Sequence, residues 1–152
     1  MRILFDTSFF LPTIGIEVEN KLLKECLRKL EAETGRNEHF LTQINLIELC
    51  WIFLRKTRSI KAEENQEVTL IRGMESIAAH VKDLSIPTNS YFRALKLKQL
   101  GHPDLFDCVL YSVAEEREIH FLSVDATFDE FLTTNDLKGR YFLYGEDYLQ
   151  MT

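Results

Sequence analysis

A chain of 152 residues, 45% hydrophobic and 28% charged, is long enough to bury a core without disulfide or metal staples, so residues 1–152 read as one domain. Its net charge of −6 excludes a protein that coats nucleic acid by bulk electrostatics, but not a nuclease whose carboxylates are neutralised locally by a cation. The cysteines (Cys26, Cys50, Cys108) are odd in number and widely spaced, and His39, His80, His102 and His120 lack zinc-ligand spacing. Free buried thiols in a reducing compartment are expected. No stretch reads as a signal peptide or reaches the ~18 apolar residues that span a bilayer, so a cytoplasmic protein is expected.

The chain opens with a short apolar run, Ile3-Leu4-Phe5, that predicts a buried strand ended by the turn-prone Asp6-Thr7-Ser8. Residues 17–34 follow a helical pattern, with Leu22, Leu23, Cys26, Leu27 and Leu30 on one stripe and Gly35 suited to the position after the helix. Phe40-Leu41-Thr42 predicts a short strand leading into a helix over 44–56. A polar stretch around 59–66 precedes a helix over about 67–80, whose apolar face is predicted to carry Val68, Ile71, Met74 and Ile77. Residues 83–87 read as a connection or weak strand, and a helix over 90–100 is closed by Gly101-His102-Pro103. A helix over 104–118, a strand over 119–124, a short helix over 126–132 and a last strand over 141–144 complete the reading. Strands alternating with helices predict an α/β fold with a mainly parallel sheet.

Four acids stand in apolar settings. Asp6 follows the first strand and Asp125 follows Phe121-Leu122-Ser123-Val124, so both carboxylates are predicted outside the carboxyl ends of strands, where open α/β sheets bind ligands. Each could instead cap the helix that follows it. Glu48 lies within the nearly continuous apolar segment 44–54, where an unpaired charge would cost several kcal/mol unless it met a cation; a place on a narrow solvent face beside Arg55 is the alternative. Asp104 and Asp107 open a helix as D-x-x-D, with Asp104 suited to its N-cap and Asp107 able to reach inward from the first turn. Carboxylates brought within ~4 Å would repel by about 4 kcal/mol per pair at an effective dielectric of 20. Mg²⁺ or Mn²⁺ would resolve that conflict, and one or two such ions suit phosphodiester hydrolysis by activating water and stabilising the leaving oxygen.

Taken in order, the first strand with D-T-S, then L-T-Q-I-N-L-I-E-L, D-C-V-L-Y-S-V-A and F-L-S-V-D-A-T-F resemble the PIN-domain ribonucleases. The layout is most similar to the VapC-type toxins of toxin–antitoxin pairs, over residues 2 to about 132. The resemblance implies a three-layer α/β/α sandwich, a homodimer, an antitoxin partner and an RNA substrate. It makes Asp6, Glu48, Asp107 and Asp125 the acidic cluster for Mg²⁺ or Mn²⁺, with the D-to-A spacing to Ala114 selecting Asp107 over Asp104. Thr7, Ser8 and Ser123 take hydroxyl positions expected to hydrogen-bond a carboxylate or a substrate phosphate. Val124 departs from the pattern, since many relatives have a basic residue before the last acid; the charged segment 59–80 is longer than in compact toxins and reads as a lid or dimer contact.

An aspartic protease is excluded by the long helical patterns and only 6 glycines, and a haloacid-dehalogenase-type phosphatase by Ser8 where D-x-D-x-T needs a second Asp. Two alternatives stay open: a catalytically silent PIN-like RNA- or protein-binding scaffold, and an RNA-processing nuclease with no antitoxin. RNA contacts are expected from Arg55, Lys56, Arg58 and Lys61, or from Arg93, Lys96 and Lys98, with the second group better suited to a solvated helix face.

Overall fold

The computed structural model describes residues 1–57 and 64–151. Its centre is a sheet of five parallel strands: β1 (Arg2–Phe5), β2 (Glu38–Leu41), β3 (Lys82–Asp83), β4 (His120–Ser123) and β5 (Phe142–Tyr144), in the order β3-β2-β1-β4-β5. A 3₁₀ helix (Thr7–Ile14) follows β1, then α1 (Lys21–Ala32), α2 (Gln43–Thr57), α3 (Glu64–His80), α4 (Thr88–Gln99), α5 (Leu105–Arg117), α6 (Ala126–Thr134) and α7 (Gly145–Gln150).

The side-chain period of two sorts each strand between two cores. Ile3, Phe5, Leu41, Leu122 and Leu143 face a layer built from Phe9, Phe10, Leu23, Cys26, Leu30, Leu49, Phe53, Ile77 and Tyr148. Leu4, Phe40, Phe121 and Phe142 face the opposite layer, where α4, α5 and α6 contribute Ala94, Leu97, Leu110, Tyr111 and Phe128. A parallel sheet covered on both faces needs near-continuous apolar strands, which is what I-L-F and H-F-L-S supply. This is the expected three-layer α/β/α arrangement. The chain runs outward from β1 through β2 to β3, then returns to the other side of β1 to lay down β4 and β5. The order therefore reverses between β1 and β4, and the crevice at such a point lies beyond the strands' carboxyl ends.

Several expectations need correction. The stretch after Asp6 is a 3₁₀ helix that buries Thr7, Phe9, Phe10 and Ile14 and that Gly15 closes at φ 79°, and the first α-helix starts only at Lys21, after Asn20 accepts the Leu23 N–H at 3.1 Å. On α3 the inward row is Leu70, Gly73, Met74 and Ile77, while Val68 and Ile71 are exposed. The reason is Gly73: a Cβ there would meet the Thr13 carbonyl at 2.4 Å, so the helix lies directly on the 3₁₀ backbone along that row. The segment 44–54 is also less enclosed than expected, with Ile47, Trp51 and Leu54 half-exposed or more. All three cysteines are free, but Cys50 is only half-buried. Burial pushes the thiols of Cys26 up to about 11 and of Cys108 up to about 12. The polar stretch beginning at Ser59 falls mostly outside the described residues.

A candidate acidic active site at the sheet crevice

The register Phe5↔Leu122 and the hydrogen bond from Asp6 N to the Leu122 carbonyl at 3.0 Å carry β1 and β4 out of the sheet side by side. Asp6 therefore emerges against Ser123, whose hydroxyl donates to Asp6 Oδ2 at 2.9 Å and accepts from Asp125 N at 3.1 Å. One buried serine thus ties both strand-end acids to each other. Ser8 also binds Asp6, donating from its backbone N–H at 3.3 Å and from its hydroxyl at 3.2 Å. Asp125 Oδ1 accepts the Thr127 and Phe128 N–H groups at 2.7 and 3.3 Å, so it caps α6 and also borders the crevice. Both capping alternatives raised by the sequence are realised, without taking either side chain away from the crevice.

The second pair comes from helices on opposite faces of the sheet. Glu48 projects from α2 and Asp107 from the first turn of α5, and with Asp6 and Asp125 they line one open cleft of about 470 Å³. Asp104 caps α5 by accepting from Phe106 N at 2.8 Å and borders the same cleft. All four predicted acids are brought together, and a fifth stands beside them. Among the described residues no three are yet drawn close enough to ligate one ion jointly. The hydrogen bonds explain this in part: Asp6 is held by two serines, Asp125 by the α6 amides, and Asp107 Oδ2 by His102 Nε2 at 3.2 Å.

The electrostatics are those of a carboxylate cluster short of positive charge. Burial first, then the negative charges of Asp6, Asp104, Asp125 and Glu48, pushes Asp107 up to about 9. Burial likewise pushes Glu48 up to about 7, with the charges of Asp6 and Asp104 adding to it while the Thr7 hydroxyl and Arg55 pull the other way. Burial also raises Asp6, against the opposing hydrogen bonds of Ser123 and Ser8. Hard oxygen donors, strained by mutual repulsion and opening on solvent, fit Mg²⁺ or Mn²⁺ by the chemistry of the donor set.

Two residues at the site carried no functional expectation in the sequence. Asn45, fully buried, donates from Nδ2 to the Phe5 carbonyl and to Thr7 Oγ1, both at 3.0 Å, and its Oδ1 accepts from Thr42 N at 2.8 Å. It locks the start of α2 to the end of β1, which sets Glu48 relative to Asp6. Since Thr7 Oγ1 accepts that bond, its own proton is free to turn toward Glu48. The other residue is His102, in the G-H-P turn. Of the expected RNA contacts, Arg58 and Lys61 lie outside the described residues, Arg93 pairs with Glu115, and Lys98 donates to the Pro103 carbonyl. Arg55 acts on Glu48 itself.

A family model described as PIN domain matches residues 3–131. No curated protein matches the chain in sequence. Among solved structures, DNA-bound VapBC from Salmonella typhimurium is similar with a TM-score of 0.61 at 13% identity, over 95% of this chain and 98% of that one. VapBC-1 from nontypeable Haemophilus influenzae has a TM-score of 0.60 at 16% identity, over 96% and 99%. VapBC2 from Rickettsia felis, bound to a fragment of promoter DNA, has a TM-score of 0.60 at 14% identity, over 86% and 92%. At such identities the likeness establishes a shared fold.

Proposed function

The chain belongs to the PIN domain family, and from that premise we propose that it is a divalent-metal-dependent ribonuclease, the toxin of a toxin–antitoxin pair. The observation that carries this reading is the convergence of Asp6, Glu48, Asp107 and Asp125 on one cleft where the strand order reverses. Four chain segments supply these acids, which are poorly solvated and repel one another; such an arrangement is costly without a cation. The VapBC name of the structural relatives supports an antitoxin partner.

In this reading Asp6, Asp107 and Asp125 hold Mg²⁺ or Mn²⁺, with Glu48 directly or through water. When bound, the ion supplies an acidified water and positive charge for the leaving oxygen. Ser123 and Ser8 hold the Asp6 carboxylate, and Thr7 orients Glu48. The proton taken from the attacking water is assigned to no single carboxylate of the cluster. Substrate phosphates meet few cations, Arg55 acting on Glu48 among them, so binding is modest and weakens as salt rises. An unpaired RNA loop suits such an open cleft better than a duplex groove. A homodimer and an antitoxin would both find large apolar side chains to cover, at Ile47, Trp51 and Leu54 on α2 and at Tyr91, Phe92 and Leu95 on α4. Among the described residues no helix is long and apolar enough to cross a membrane, which suits a cytoplasmic site of action.

The test is cleavage of a mixed RNA pool with Mn²⁺, Mg²⁺ or EDTA by wild type, Asp6→Asn and Asp125→Asn. Metal-dependent cutting lost in both variants supports the proposal. Equal residual cutting by all three points to contamination and removes its basis. Mn²⁺ binding without cutting of any RNA would favour the scaffold reading.

A further inference from the structure

His102 is 2% exposed, although it sits in the short turn between α4 and α5. Gly101, at φ 114°, turns the chain so that the ring enters the protein instead of solvent. There it packs against Phe128 and Phe131 of α6, with ring centroids 4.7 and 5.0 Å away. Its Nε2 reaches Asp107 Oδ2 at 3.2 Å, and its Nδ1 has no hydrogen-bond partner among the described residues. A buried imidazole in a turn, wedged under the helix that begins after Asp125 and bonded to an acid of the cleft, is more than core filling.

The tautomer follows from those contacts. A proton on Nδ1 would be a buried donor with no partner among the described residues and would leave Nε2 nothing to donate, whereas a proton on Nε2 meets Asp107 Oδ2. The proton therefore belongs on Nε2. With a cation on the cluster Asp107 is ionised and can only accept, so this N–H is the natural partner of its Oδ2.

Resting on the metal-dependent reading above, we propose that His102 is a positioning residue: its Nε2–H holds Oδ2 of Asp107 and leaves Oδ1 as the oxygen presented to the cleft. The same ring braces α6 through Phe128 and Phe131, so one side chain fixes Asp107 directly and the helix capped by Asp125 through packing. Partners that hydrogen-bond a ligating carboxylate typically govern 10–100-fold in metal affinity.

The experiment is Mn²⁺ titration by calorimetry on wild type, His102→Gln and His102→Phe, with thermal unfolding of each in EDTA. Gln keeps an N–H donor at a comparable reach, while Phe keeps the ring and its packing but donates nothing. The expected result is roughly 10–100-fold weaker Mn²⁺ binding for Phe, with Gln restoring most of it and all three proteins folded in EDTA. Should the Phe variant not fold, His102→Leu takes its place in the same comparison. Unchanged Mn²⁺ affinity without the donor would overturn the positioning role and leave only packing. Equal weakening in the Gln and Phe variants would overturn the role of the N–H. Absence of Mn²⁺ binding by the wild type would sink the metal reading itself, a distinct failure from either of these.

Discussion

Replacing Asp107 by Asn should stabilise the metal-free protein while disabling it. In the fold Asp107 is pushed up to about 9 by burial and by the charges of Asp6, Asp104, Asp125 and Glu48, against 3.8 for an ordinary aspartate. Because the folded value lies above the unfolded one, the stability linked to this group is fully present below about pH 4 and is lost as the pH rises toward 9. At pH 8 the fold keeps protonated a group that the unfolded chain ionises over about four units, and each unit is worth about 1.4 kcal/mol. The ceiling on the effect is therefore roughly 6 kcal/mol, but the strain is shared with four neighbouring acids that readjust when one is neutralised. A gain on the order of 2 kcal/mol for Asp107→Asn is expected, or roughly 4–8 °C in Tm for a chain of this size. The assay is thermal unfolding in EDTA at pH 5, 6.5 and 8, with the advantage of the variant growing along the series. Excess Mn²⁺ should reverse the order, since only the wild type then gains binding free energy, about 2.7 kcal/mol at a hundredfold excess over Kd. If the variant melts at or below the wild type at pH 8 in EDTA, the carboxylates are not in mutual strain and the reasoning fails.

Mn²⁺ affinity should rise steeply between pH 6 and 9, because Glu48 at about 7 and Asp107 at about 9 must lose protons before they can ligate. Calorimetry in buffers of different ionisation enthalpy reads this as proton release; a pH-independent Kd with no buffer dependence would refute it. Asn45→Ala removes two donated bonds and leaves the Thr42 N–H without its acceptor, all in a buried setting. A loss of about 1–3 kcal/mol in urea unfolding is expected, together with slower cleavage, because Thr7 and Glu48 lose their shared anchor. Unchanged cleavage in a destabilised Asn45→Ala protein would confine that residue to folding alone.

The parts of the molecule legible in the sequence were those written in periodicity or at strand ends. Ile3-Leu4-Phe5 and Phe121-Leu122-Ser123 announced buried parallel strands, and an acid after each pointed to a common crevice. Glu48 was found for a reason only half right: its helix exposes Ile47, Trp51 and Leu54, and what makes Glu48 unusual is the cleft it enters. The 3₁₀ helix was hidden because Phe9, Phe10 and Pro12 follow neither a period of two nor of 3.6. The exposed Val68 and Ile71 could not be foreseen, since the facing of α3 is decided by where Gly73 can approach another backbone. Helix α7, six residues long with no side-chain cap, left too short a pattern to read. His102 looked like part of a helix stop, and Asn45 like one polar residue in an apolar helix. Their roles arise from tertiary contacts, such as the Phe5 carbonyl 40 positions from Asn45, that local pattern does not encode.

The bond from Ser123 to Asp6 joins residues 117 positions apart and spans the contact between β1 and β4. During synthesis the first strand, Asp6 and the helix of Glu48 all leave the ribosome long before their partners exist. A nascent chain that stops short of β4 has one side of the crevice missing: Asp125 and Ser123 are unmade, and Asp6 has no strand beside it on that edge. Because Ser123 and Asp125 come late in the chain, the crevice is complete only when the sheet nearly is. For the ribonuclease proposed above, an unfinished copy would thereby lack a complete site.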